Sequence, residues 1–187
     1  SGYADVYVNA TGNSSAVATW PTPSATDAVS GNVAVTCVPP SGSTFPVGAT
    51  TVNCSATDGA GNTGHGSFEV EVGYGFTGFF RPVDNAPTIN VVKAGSAIPV
   101  KFSLGGNQGL NIFATGYPAS VSAACNAATT DAIEETVTAG NSSLSYDAGA
   151  NQYIYVWKTE KSWTGCRQLQ VKLRDGRSYW AIFNFTR

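Results

Sequence analysis

Gly95-Ser96-Ala97-Ile98-Pro99-Val100-Lys101-Phe102-Ser103-Leu104 is the stretch whose reading decides the fold. Ile98, Val100, Phe102 and Leu104 alternate with Pro99, Lys101 and Ser103. That two-residue period sends the apolar side chains to one face and the others to the opposite face, as in a half-buried strand. Proline has no N–H to give a ladder, so Pro99 places the strand at a sheet edge or lies near its start. Gly105-Gly106-Asn107 closes the run in turn residues.

Working outward, further strands are expected at residues 90–93, 110–113, 120–125, 134–137, 143–146, 152–157, 167–173 and 179–185. Residues 152–157 carry bulky side chains on both faces, which predicts a strand covered on both sides. Arg174-Asp175-Gly176-Arg177 predicts a hairpin with a two-residue primed turn at Asp-Gly. Upstream, strands are expected at 5–8, 16–20, 33–37, 50–57 and 66–72, separated by Gly12-Asn13, Pro39-Pro40-Ser41-Gly42 and Asp58-Gly59-Ala60-Gly61-Asn62. No segment has a helical period of useful length. Short strands at this spacing predict an all-β chain of two β-sandwiches, residues 1–73 and 74–187. Between them, residues 74–87 set Tyr74, Phe76, Phe79 and Phe80 among glycines. A flexible linker would be Gly and Ser. Aromatics favour burial, so this junction is expected to pack between the modules, or else to form a patch that contacts another molecule.

The 187 residues are 42% hydrophobic and 12% charged, a globular composition long enough for two cores. A net charge of −2 argues against nucleic acid as a partner, and no apolar run is long enough for membrane insertion. The charge is uneven. Residues 1–73 have no Lys or Arg and carry Asp5, Asp27, Asp58, Glu69 and Glu71, for −5; the rest has ten bases and seven acids, for +3. Such a bias steers association, but salt screens it beyond about 8 Å.

Cys37, Cys54, Cys125 and Cys166 are not in metal-ligand spacing, and His65 is the only histidine. The economical reading is two disulfides, Cys37–Cys54 and Cys125–Cys166, and hence an oxidising compartment; the alternative is four buried thiols. The chain has no methionine, so Ser1 is not an initiator position, and a processed secreted protein or a piece of a longer one is expected. The sequons at Asn9, Asn13, Asn53, Asn141 and Asn184 matter only in a glycosylating host.

Trp20-Pro21, Ala25-Thr26-Asp27, the run from Ser41 to Gly48 with Thr51-Val52-Asn53-Cys54, and Ala56-Thr57-Asp58-Gly59-Ala60-Gly61-Asn62 together resemble a hyalin repeat (HYR) domain. The resemblance implies an immunoglobulin-like module of extracellular proteins associated with adhesion. Pro99-Val100-Lys101-Phe102 resembles the motif of the PxKF domain. The surrounding fit comes from Gly78-Phe79-Phe80, Pro82-Val83-Asp84-Asn85, Tyr155-Val156-Trp157-Lys158-Thr159 and Cys166-Arg167-Gln168-Leu169. That resemblance implies the C-terminal part of a secreted bacterial protein, with no established biochemical activity. Together they make the expected fold two tandem immunoglobulin-like β-sandwiches.

Asp27, Asp58 and Asn62 are weak calcium candidates; the alternative is that they bond local backbone N–H groups in turns. An isopeptide between Lys101 and Asn184 is opposed by parity, because the apolar neighbours of each take the inward face. Glu134 and Glu135 are sequence neighbours in an expected strand and point apart, so they make no paired-carboxylate site. No nucleophile elbow, zinc motif or phosphate loop is present, so no enzyme, metal or cofactor is expected. Trp163, Trp180 and Tyr179 are candidate contacts for a glycan or a protein partner, with a core role as the alternative. The chain thus reads as a non-catalytic structural or adhesion protein, secreted or on the cell surface. Strand addition would make it a homo-oligomer in a fibre, or join it to another extracellular protein. The alternatives are a carbohydrate-binding accessory module of a secreted hydrolase, with a polysaccharide as partner, and a virion decoration module.

Overall fold

A computed structural model describes residues 4–126, 129–137 and 140–187, and those residues form strands, turns and irregular segments without a helix. Among the described residues, no helix is long and apolar enough to cross a membrane. The chain divides after Tyr74 into two compact units. Each is a β-sandwich.

The first unit contains β1 (Val6–Asn9), β2 (Ser15–Val17), β3 (Ala25–Asp27), β4 (Gly31–Val33), β5 (Val35–Val38), β6 (Thr44–Pro46), β7 (Gly48–Thr57) and β8 (Thr63–Gly73). Its main sheet has the order β1-β8-β7-β5, and β2-β6 and β3-β4 form separate ribbons. β1 runs parallel to β8, while β7 is antiparallel to both β8 and β5. Alternation along β7 and β8 buries Val52, Cys54, Phe68, Val70 and Val72. Trp20 joins ribbon to sheet, with ring centroids 5.9 Å from Phe45 and 5.1 Å from Phe68. The strand expected at 33–37 is broken at Ala34 into β4 and β5, which serve different sheets.

The second unit contains β9 (Thr77–Phe80), β10 (Ile89–Lys93), β11 (Ala97–Ser103), β12 (Ala119–Ser122), β13 (Thr130–Ala132), β14 (Ser143–Asp147), β15 (Gln152–Lys158), β16 (Gly165–Lys172) and β17 (Ser178–Thr186). One sheet has the order β12-β16-β17-β10-β13 and the other β14-β15-β11-β9. Ile98, Val100, Phe102 and Leu104 are fully buried, as the alternation predicts. They pack with Tyr153, Leu169, Val171, Ala181 and Phe183 in the buried core.

β11 is an inner strand, so of the two alternatives the edge is corrected, and Pro99 lies near the strand's start as its third residue. Pro99 is accommodated because pairing with β9 begins only at Lys101. Pairing with β15 runs from Ala97 to Phe102. The strand expected at 110–113 is absent. Phe113 makes a single bridge to Leu173, while Gly109 and Gly116 hold φ of 75° and 83° on either side. The strand expected at 134–137 is replaced by β13, with Val137 bridging Ala97.

The 174–177 hairpin forms with a different turn. Gly176 N donates to Leu173 O, and Leu173 N donates to Arg177 O. Gly176 has φ of 84° and Asp175 is not in the left-handed region. This is a three-residue loop with glycine at the left-handed position. The primed turn lies elsewhere, at Asn13-Ser14, where φ is 51° and 53° and Ser15 N donates to Gly12 O.

Each unit has its expected disulfide. Cys37 and Cys54 face one another on adjacent β5 and β7, with Cα atoms 4.0 Å apart. Cys125 and Cys166 tie the segment after β12 to the start of β16, with Cα atoms 5.4 Å apart.

Candidate functional site

The antiparallel register of β16 and β17 sorts their side chains. Leu169, Val171, Ala181 and Phe183 are buried against the second unit's core. The opposite face therefore carries Gln168, Gln170 and Lys172 beside Ile182, Trp180 and Ser178, the three directly opposed pairs. Asn184 continues the row on β17. Trp180 is 50% exposed on this outer face, and Val121 on neighbouring β12 is 43% exposed opposite Gln168.

Beside Trp180 lies a cleft of about 260 Å³, lined by Phe76, Phe79, Asn85, Ala86 and Tyr179 among others. Tyr179 points to the inner face, where its ring stacks on Phe76 at 3.5 Å and 9°. Phe76 stacks in turn on buried Phe102 at 5.6 Å. Burial, and then the nearby Asp175 carboxylate, push the Tyr179 hydroxyl above the usual phenol range. Tyr179 thus anchors the cleft, while Trp180 offers a free ring.

Two asparagines fix the cleft wall. Asn85 accepts a hydrogen bond from Phe79 N and donates from Nδ2 to Phe79 O at 2.9 Å. Asn90, 1% exposed, accepts from Asp84 N at 2.8 Å and donates to Asp84 O and Ile182 O at 3.1 Å. A buried amide stays only when such bonds are made. Their role was not read from the sequence. The available signal was two Asn flanking a Pro-rich turn, beside aromatics that need anchoring.

The structure does not bring the three sequence candidates together. Trp163 is half-buried against Trp157 at 5.7 Å and Phe185 at 5.3 Å, with the Arg167 guanidinium 4.2 Å above its ring. Phe185 and Trp180 are five residues apart on β17, about 17 Å of strand. Of the aromatics expected in the junction, Tyr74 is buried in the first unit, where its hydroxyl is 2.8 Å from Ser14 Oγ. Phe79 is a core residue of the second unit, with the half-buried Phe76 ring 5.7 Å from its own, and Phe80 on β9 is half-buried.

Asp27 and Asp58 act as turn caps. Asp27 accepts from Val29 N and Ser30 N at 2.9 and 2.7 Å. Asp58 accepts from Ala60 N, Asn62 N and Asn62 Nδ2 at 2.8–2.9 Å. These bonds favour the charged form and hold both carboxyls below their ordinary range. Among the described residues, no group of three or more His, Cys, Asp or Glu is placed to hold a metal ion. His65 is exposed and lines a separate cavity of about 350 Å³ in the first unit, beside Pro23, Cys54 and Gly66. Lys101 donates to Glu135 at 3.0 Å, and Arg81 pairs with Glu134 at 3.3 Å. The adjacent glutamates thus serve two different cations.

Residues 5–72 match the HYR domain family model. No curated protein shows a significant match. Among solved structures, the chain is similar to titin Ig tandem domains A164-A165, at 15% identity over 73% of this chain and 60% of that one, with a TM-score of 0.25. It is similar to the Bacteroides ovatus mixed-linkage glucan utilization locus protein SGBP-B, at 13% identity over 76% of this chain and 31% of that one, TM-score 0.25. Extracellular cadherin domains 3–6 of protocadherin gamma B2 match at 12% identity over 100% of this chain and 50% of theirs, TM-score 0.26. The chain spans less than two thirds of each of these structures, and scores this low leave the architecture to be argued from the chain's own sheets.

Proposed function

We propose that this is a non-catalytic extracellular protein of structural or adhesive role, which joins to further copies by strand addition. The HYR match over residues 5–72 and one disulfide in each unit support an extracellular, adhesion-type module. The resemblance of residues 74–187 to the PxKF domain, on Pro99-Val100-Lys101-Phe102 and its neighbours, belongs to the same reading.

The observation that carries the self-association is the chemistry of the sheet edges. The edge strands of the three larger sheets are β1, β5, β12, β13, β14 and β9. None contains Lys, Arg or Pro. Lys and Pro are the commonest blocks to edge-to-edge pairing, and the charged residues on these edges are only Asp131 on β13 and Asp147 on β14. Tyr7 on β1 is 66% exposed, and β14 (Ser143–Asp147) exposes every second residue. Strand addition satisfies the open N–H and C=O groups of such edges. The −5 and +3 halves of the sequence add electrostatic bias to head-to-tail encounter. Light scattering of the oxidised chain tests this reading, with Tyr7→Lys/Ser145→Lys as the edge-blocked variant. Concentration-dependent growth that the variant abolishes is expected.

A further inference from the structure

We infer that the outer face of the β16–β17 pair binds a polysaccharide carrying carboxylate or sulfate groups, with Trp180 as the ring on which a sugar stacks. This site goes beyond the self-association proposed above and does not depend on it.

Three observations meet at this face. The first is Trp180 itself. Indole is costly to leave in water, yet this ring is half exposed, between Ser178 and Ile182 on its own strand and directly opposite Gln170. The apolar face of a pyranose covers such a ring without requiring a deep pocket. The second is the row beside it. Gln170 is directly opposite Trp180, Gln168 is opposite Ile182, and Asn184 lies further along β17. Amides both donate and accept, which suits the hydroxyls of a sugar flanking the stacked ring. The cleft lined by Asn85 and Ala86 supplies a wall on the other side of Trp180.

The third is charge, and it selects the class of glycan. Lys172 shares this face, one pair closer to the hairpin, with its Nζ 6.0 Å from the Tyr117 ring. Arg174 and Arg177 follow in the loop. The acid among them, Asp175, has a side chain only 1% exposed and faces Arg177 at 4.0 Å. The hairpin end therefore presents positive charge to solvent next to a free indole. A neutral glucan would leave that charge unused, whereas an acidic chain crossing Trp180 meets it at the next residue.

The test is affinity electrophoresis and calorimetry of the full oxidised chain. The probes are polygalacturonate and dextran sulfate, with neutral dextran and laminarin as controls. Retardation by an anionic polymer is expected. Trp180→Ala should weaken it about tenfold, and Trp180→Phe should retain most of it. Lys172→Gln/Arg174→Gln should weaken it and flatten its salt dependence. Val29→Ala, at an exposed position in the first unit, should leave it unchanged. Three results would each overturn the assignment: no retardation by either anionic polymer, equal retardation by the neutral ones, or wild-type binding by Trp180→Ala. A Trp180→Ala variant that instead loses self-association would give the face to a second copy.

Discussion

Single residues hold the candidate face in place, and their effects separate cleanly. Gly78 has φ of 122°, and a Cβ there would sit 3.2 Å from the Phe102 Cα and 3.3 Å from the Phe80 ring. The near neighbour on one side is backbone and cannot step aside. Gly78→Ala should destabilise the chain by about 1–3 kcal/mol, read as a lower urea midpoint. Asp84 gives a pH signature. Burial raises its pKa above 3.8, helped by a hydrogen bond and repulsion from Asp131 and by Glu134, while Arg81 opposes. The folded state therefore keeps this proton to higher pH than the unfolded chain does. The protonated group costs nothing below about pH 3.8, and stability falls as pH rises through the raised folded value. Asp84→Asn should remove that fall, checked by urea midpoints from pH 3.5 to 7. A steeper fall in the variant would contradict the assignment. The exposed caps Asp27 and Asp58 act with opposite sign, stabilising above their unfolded values and losing this as pH drops.

At the scale of elements, the disulfides and turns decide most. Cys37–Cys54 closes a sequence separation of 17 and Cys125–Cys166 one of 41. Loop-closure entropy puts them at about 3 and about 4 kcal/mol. Replacing Cys125 and Cys166 by Ser should therefore cost more than replacing Cys37 and Cys54, measured by denaturation of the two double variants. The strands legible in the sequence were those with sustained alternation, such as β11, β15, β16 and β17. The buried residues of β15 and β17 follow the two-residue period without a break, while β11 also buries Ala97 and Pro99 and β16 also buries Cys166 out of phase. What was not legible depended on long-range pairing. Residues 110–113 are expected as a strand, yet the segment makes one isolated bridge, Phe113 to Leu173 just past β16, between glycines of positive φ at 109 and 116. β3 (Ala25–Asp27), β4 and β6 are three residues each, too short to show a period, and exist through their ribbon partners. Pro99 illustrates the same limit. Its missing donor predicts an edge, but the two neighbours of β11 cover different lengths of it. Asp175-Gly176 fixed the hairpin's place, but the number of loop residues set the turn type.

At the scale of the whole molecule, the candidate surface was only half visible beforehand. Parity placed Trp180 outward, because it alternates with Phe183 and Phe185, and its exposure agrees. Trp163 carries no strand period, and only the fold shows that Arg167 and two aromatic rings enclose it. The row of Gln168, Gln170 and Lys172 depends on the β16–β17 register, which spacing alone does not give. The −5 and +3 halves make a further statement at this scale. Encounter between copies should slow as salt rises, because bias between exposed charges is screened beyond about 8 Å. Stopped-flow light scattering at low and physiological salt measures that.

The most direct measurement is multi-angle light scattering with negative-stain imaging of the oxidised 187-residue chain over a hundredfold range of concentration. Open sheet edges without Lys, Arg or Pro predict linear assemblies that lengthen with concentration and disappear in Tyr7→Lys/Ser145→Lys. Monomers at every concentration, or assemblies indifferent to those lysines, would contradict the account.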